Sequence, residues 1–249
     1  MSTEHCLACF EALAAHLDKR EPLSLEDVQS SFARYTTSPL QPPQNAALRR
    51  VTDAATSSSS SSSSTSLAPS TAATSISTSS ELSSAPLFVT WNTIDSDGDV
   101  SLRGCIGTFE AQPLADGIPE YALVSALHDG RFPAIARREL PGLEAAVTLL
   151  TDFEDVDDPR DWVVGVHGVR LSFRDKGRLY GSTYLPDVAS EQGWTRDEAL
   201  FSLVRKAGWM GGRNRWKDLE LKVTRYQGKK ARASYTDYKK WKDWADSQP

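Results

Sequence analysis

Leu7, Phe10, Leu13, Ala14 and Leu17 recur three or four positions apart, which predicts a helix over residues 4–17. Pro22 ends it, and Ser24 with Asp27 three positions on is the start signal of a second helix over residues 25–35. Leu25, Val28, Phe32 and Tyr35 form the apolar stripe of that helix. Both stripes are one-sided and require a partner surface. The periodicity then stops. Residues 39–51 are a Pro/Gln/Ala loop, and 19 of the 25 residues from Thr56 to Ser80 are Ser or Thr. Such a tract cannot bury enough apolar area to offset the entropy of ordering, so residues 39–84 are expected to be a disordered insertion within one domain. A plain linker between domains is the alternative.

Patterning resumes at Pro86. PLFVTW (86–91) and SLRGCIGTF (101–109) read as strands joined by the turn-rich NTIDSDGDV, a hairpin. A helix follows, with Leu114, Ile118, Tyr121, Ala122 and Ser125 on one face, ending at His128-Asp129-Gly130. LEAAVTLLT (143–151) and WVVGVHGVRLSF (162–173) read as strands across an acidic loop, and GRLYGSTYL as a short hairpin strand. Thr195 and Glu198 form a capping box for a helix over 196–207, with Gly208 as its stop. LELKVTRYQ (219–227) is a further strand, and a polar, aromatic helix or tail closes the chain. Strands adjoin strands without regular βα alternation, so the class is α+β with a largely antiparallel sheet flanked by helices. The expected division is a helical part over 1–38, the insertion over 39–84, the main body over 85–244 and a tail over 245–249.

Composition narrows the function. The 249 residues carry a formal net charge of -5, which disfavours a general binder of nucleic acid or anionic membrane. No run of 18 or more apolar residues occurs, and Glu4, His5 and Glu11 stand where a secretory signal would be basic, so a soluble intracellular protein is expected. Cys6, Cys9 and Cys105 cannot all pair, consistent with a reducing compartment. Phosphate loops of the GxGxxG and GxxxxGK[ST] types, the HExxH zinc site and the GxSxG elbow are all missing. Neither a cofactor nor a metal is implied. The acidic DSDGD has its glycine and its twelfth residue wrong for a calcium loop and reads as a solvated turn.

The chemistry that remains centres on Leu102-Arg103-Gly104-Cys105-Ile106-Gly107-Thr108-Phe109. Two glycines in a strand weaken it, and are tolerated where a ligand or another backbone comes close. Alternation puts Arg103 and Cys105 on one face, where a cation would favour the thiolate. Cys105 is therefore either a reactive thiol or a small buried residue. His167 is either a core histidine on the side of Val169 and Leu171 or a base for Cys105, whereas Arg170 faces the other way. Asp129 and Arg131 form a local ion pair or an anion site. Cys6-x-x-Cys9 favours packing over zinc. From Arg205 to Asp243 there are 13 Lys/Arg against four Asp/Glu, interleaved with Trp209, Trp216, Tyr226, Tyr235, Tyr238 and Trp241. That mixture suits nucleic-acid contact or a solvated edge with anchoring aromatics.

LRGCIGTF (102–109), GIPEYALVSALHDGRF (117–132), ELPGLEAAVTLLTDFE (139–154), DWVVGVHGVRLSF (161–173) and TYLPDVASEQGW (183–194) occur in one order. Together with PLFVTW, LKVTRY and the N-terminal CLACFEAL, they closely resemble the AMMECR domain family. Gly130, where Ser or Pro is common, and KAGWMGG (206–212) depart from its pattern. The resemblance implies an α+β fold with a larger and a smaller subdomain around a cleft lined partly by LRGCIG. It implies a nuclear or cytoplasmic regulatory protein with no established reaction. Prokaryotic relatives are linked to Memo-like and radical-SAM proteins, a hint of redox or small-molecule chemistry.

Three functions follow. In the leading one the protein is a binding module for a small molecule or a protein partner. Arg103 holds an anionic or carbonyl group, Gly104 and Gly107 admit it beside Cys105, and Asp129, Arg131, His167 and Tyr184 stand nearby. The second is an enzyme using Cys105 as nucleophile or redox thiol with His167. The third, less favoured, is a nucleic-acid factor acting through a stripe of Arg213, Arg215, Lys217, Lys229 and Lys230.

Overall fold

Residues 2–38 and 83–248 are described by a computed structural model of the chain. The expected insertion over 39–84 lies outside them except for Ser83 and Ser84, and Ser84 already opens the first strand. Helices α1 (Thr3–Asp18) and α2 (Leu25–Thr37) match the sequence reading, and the Ser24–Asp27 capping box forms. The expected one-sided stripe of α1 is a correction. Every residue from His5 to Ala15 is buried, because α2, α3 (Leu114–Leu127), the sheet and the last helix enclose it. Even Glu11 is fully buried. Its carboxylate accepts from Arg20 at 2.5 and 2.9 Å, from the Tyr238 hydroxyl at 2.8 Å and from the Leu23 N–H at 3.1 Å. A buried charge is tolerable only with such partners.

The strands are β1 (Ser84–Ile94), β2 (Val100–Pro113), β3 (Leu143–Val156), β4 (His167–Asp175), β5 (Arg178–Tyr184) and β6 (Lys222–Ser234). They form one antiparallel sheet in the order β2-β1-β3-β6-β4-β5. The expected strand over 162–173 begins only at His167. Residues 163–166 turn instead, with Gly165 at φ +80 and the Val163 N–H donating to His167 Nδ1 at 3.0 Å. Val163 and Val166 are exposed there, so the apolar run does not mark a buried strand. Short α4 (Pro186–Glu191) precedes α5 (Arg196–Lys206), whose Thr195–Glu198 box forms and beyond which Gly208 takes φ +87. Helix α6 (Tyr235–Asp246) runs into the segment expected as tail.

Two cores share this sheet. The larger lies between α1, α2, α3, α6 and the β1–β3 half, around Phe10, Trp91, Ile118 and Trp241. The smaller joins β4 to α4 and α5 around Trp162, Leu171, Phe173, Leu203 and Trp209. Strands β3 and β6 are long enough to serve both ends. The sheet curls between the cores, so that Phe109 of β2 meets Tyr226 of β6 with ring centroids 5.9 Å apart. The curl creates a concave face away from the helices.

Candidate functional site

The LRGC segment and the HDGRF turn are brought together by one close approach. A side chain at Gly104 would place its Cβ 2.2 Å from the Ser125 carbonyl oxygen, so glycine lets α3 lie directly on β2. That contact delivers Asp129 to the free edge of the sheet. Asp129 Oδ2 accepts the Cys105 N–H at 2.9 Å, and Arg131 Nη2 donates to the Cys105 carbonyl at 3.1 Å. The two side chains satisfy Cys105 as a neighbouring strand would, blocking the edge there. Asp129 also accepts from Arg131 N and Nε at 3.1 and 2.9 Å, and from Nη2 at 2.7 Å. The Arg131 guanidinium, aided by those backbone N–H groups, holds the Asp129 carboxyl well below the usual carboxylate range.

Arg103 makes a second clamp. Its Nε and Nη2 donate to Glu139 at 2.9 and 3.3 Å, and Nη1 donates to the Pro133 carbonyl at 2.8 Å. Burial opposes ionisation of Glu139, but Arg103 and the Ala136 N–H outweigh it and its carboxyl stays below its ordinary value. Arg103, expected to hold an anionic or carbonyl group of a ligand, has its charge matched within the chain by Glu139. The expected ligand space at the glycines is corrected. The Ser125 carbonyl occupies the space at Gly104, and the Phe88 ring, 2.3 Å from a would-be Cβ, occupies that at Gly107.

Cys105 is half-buried and accepts from the Thr90 hydroxyl at 3.1 Å. His167 does not join it. Strands β1, β3 and β6 separate β2 from β4 in the sheet, and the Nδ1 of His167 is held by its own turn. Tyr184 sits with His167 beside the smaller core, where their crevice has no room for a water molecule. Its hydroxyl bonds Ser202 Oγ at 3.0 Å, and Lys206 lies over its ring. Cys6 and Cys9 are buried in α1, and burial pushes the Cys6 thiol up to about 12. Among the described residues, no group of three or more His, Cys, Asp or Glu side chains is arranged to hold a metal.

Open space lies further along β2, on the concave face that Cys105 and Phe109 share. One cavity of about 660 Å³ is lined by Pro86, Phe109, Asp152, Phe153, Arg170 and Lys229 among others. A second, of about 420 Å³, has Phe109 and Arg170 in common with it and continues along Leu179 to Thr183 of β5. Tyr226, in ring contact with Phe109 and Phe153, is fully buried, its ring across Gly168. Its hydroxyl donates to the Tyr184 carbonyl at 2.8 Å and bonds Thr183 Oγ1 at 3.0 Å, and burial raises it well above an ordinary tyrosine. Phe153 stacks on Tyr226 at 5.1 Å and is 40% exposed. It is presented by a bulge in β3 between Thr151 and Glu154, where Asp152 takes φ +56. A non-glycine residue in that conformation is uncommon and strained. Sequence reasoning missed Phe153 and Arg170 as site residues and named Lys229 only for a nucleic-acid stripe. The one signal was Arg170 facing away from the apolar side of its strand.

The basic C-terminal segment forms no aromatic platform. Trp209, Trp216, Tyr226, Tyr238 and Trp241 are buried. Of the expected stripe, Lys217 pairs with Asp197 at 3.1 Å and Lys230 with Asp187 at 3.2 Å. No helix among the described residues is long and apolar enough to cross a membrane.

Comparison with known proteins gives a consistent picture. The sequence profile of the AMMECR1 family matches residues 6–231. An uncharacterised protein of Arabidopsis thaliana is 46% identical over 155 residues, spanning 61% of this chain and 72% of the relative. One from Saccharomyces cerevisiae is 36% identical over 176 residues, spanning 62% and 70%. The crystal structure of an uncharacterised protein from Pyrococcus horikoshii superposes with a TM-score of 0.50 at 29% identity, over 60% of this chain and 74% of that one. It shares the α+β architecture.

Proposed function

The chain belongs to the AMMECR1 family, and from that premise we propose that it is a regulatory binding module whose ligand site is the concave cleft between the two cores. The observation that carries this reading is the pair of adjoining cavities joined at Phe109 and Arg170. Each has the size of an ordinary small-ligand site, with aromatic rings beside polar and charged groups. Cys105, with Arg103, Asp129 and Arg131, serves that site by position: the two clamps hold the strand that carries Phe109. A thiol nucleophile is the weaker reading, because the imidazole proposed to activate Cys105 is engaged on another strand. The same reading places the protein in the cytoplasm or nucleus, where its cysteines stay reduced.

The test is amide chemical-shift mapping of the full chain against a fragment set of mixed charge. Shifts concentrated at Phe109, Phe153, Arg170 and Thr183 are the expected result. Shifts concentrated around Cys105 and His167, or none in the cleft, would overturn the proposal.

A further inference from the structure

Resting on that reading of the cleft, we propose that it takes a small organic anion: a carboxylate, sulfonate or phosphate head carried on a flat apolar body. The head would sit at Arg170 and the body against Phe109 and Phe153.

The charge pattern points to the head. Seven arginines among the described residues pair with a carboxylate, and of those that do not, Arg213 and Arg215 border neither cavity. Among the described residues no carboxylate pairs with Arg170, although it borders both cavities. A guanidinium presents five N–H donors in a planar fork suited to carboxylate and phosphate oxygens. Lys229, equally without an acidic partner among the described residues, is a second cation on the wall of the larger cavity. One acid lines that cavity, Asp152, and it already accepts the Thr151 hydroxyl at 2.7 Å. Two cations against one engaged carboxylate leave the cleft net positive in a protein whose net charge is -5. A concave site with apolar walls focuses that potential on a small anion.

The aromatic geometry points to the body. Phe109 meets Tyr226 edge-on at 5.9 Å while Phe153 stacks on it at 5.1 Å, so the rings form the apolar floor of the cleft. Leu179, 61% exposed, continues the apolar lining into the second cavity. A bare inorganic anion would leave this surface uncovered, and an apolar solute would leave Arg170 unanswered. Only a molecule with both parts uses what the cleft presents.

The experiment compares two fluorescent probes of one shape, the anionic 8-anilinonaphthalene-1-sulfonate and its neutral analogue N-phenyl-1-naphthylamine, on the full chain and on Arg170→Gln and Arg170→Lys. Amide shifts locate each probe. Arg170 is exposed and has no carboxylate partner among the described residues, so the variants should fold, and an unchanged melting curve checks this. The expected result is 1:1 binding of the sulfonate in the cleft, at least tenfold tighter than the neutral probe. Arg170→Gln should abolish that difference, and Arg170→Lys should restore part of it. Equal binding of both probes in the cleft, indifferent to Arg170→Gln, would overturn the anion assignment while leaving the cleft as a site. Failure of both probes to move Phe109, Phe153 and Thr183 would overturn the cleft reading itself.

Discussion

Asp129 gathers four donors on one buried carboxylate, the backbone N–H groups of Cys105 and Arg131 and two guanidinium nitrogens. Its side chain is 4% exposed while that of Arg131 is 57% exposed, so the pair is a shielded acid under a solvated lid. Solvent screening on the arginine side limits what the ion pair itself contributes. The larger loss on substitution is in the hydrogen bonds: asparagine keeps one acceptor oxygen, and its NH2 must face either the Cys105 N–H or the Arg131 donors, donor against donor. Asp129→Asn is therefore expected to lower unfolding free energy by about 1–3 kcal/mol in urea titrations at neutral pH. The folded carboxyl titrates below its ordinary value, so its contribution is complete above the unfolded pKa of about 4 and disappears as pH falls through the folded one. The gap between wild type and variant should shrink from about pH 5 toward about pH 2. A gap constant across that range would show that Asp129 acts through shape and not charge.

At the scale of elements, the capped helices were legible because their signals are local. Ser24 with Asp27 and Thr195 with Glu198 need only three residues of spacing, and both boxes form. The strand expected from Trp162 failed because burial of one residue says nothing of the backbone beside it: Trp162 fills the smaller core while the chain turns at Gly165. Helix α1 was legible as a helix and not as a hub. Its polar residues look like a wet face, but Glu11 is neutralised by Arg20, just beyond the end of the helix, and bonded to Tyr238 from the far end of the chain. Complete enclosure of α1 has a chemical consequence. Burial raises the Cys6 and Cys9 thiols, whereas Cys105 lies half-exposed on the sheet. Alkylation of the native protein followed by intact mass measurement should therefore add a single label, at Cys105, and three after denaturation. Two or three labels on the folded chain would mean that α1 opens readily and is not the permanent centre of the larger core.

At the scale of the molecule, the candidate site was the least legible feature, since it exists only where the sheet curls. Phe109, Phe153, Arg170 and Lys229 come from four strands, and no local pattern relates them. The motif that drew attention, LRGCIG, builds the edge that holds one wall. The basic C-terminal segment misled in the opposite sense, because linear charge density ignores partners across the fold. Arg225 pairs with Glu154 and Asp161, Arg232 with Glu144, and Lys239 and Lys242 with acids one turn along α6. Its aromatics, which could have stacked on bases, largely fill the two cores. The cleft itself holds two cations, Arg170 and Lys229, enough for a small anion and too little for a polyanion, whose binding grows with the number of phosphates neutralised. Fluorescence anisotropy with single- and double-stranded oligonucleotides should accordingly show dissociation constants weaker than about 10⁻⁴ M at about 0.15 M salt. Tight binding with a steep logarithmic salt slope would shift the functional site from the cleft to the exposed cations of the C-terminal segment.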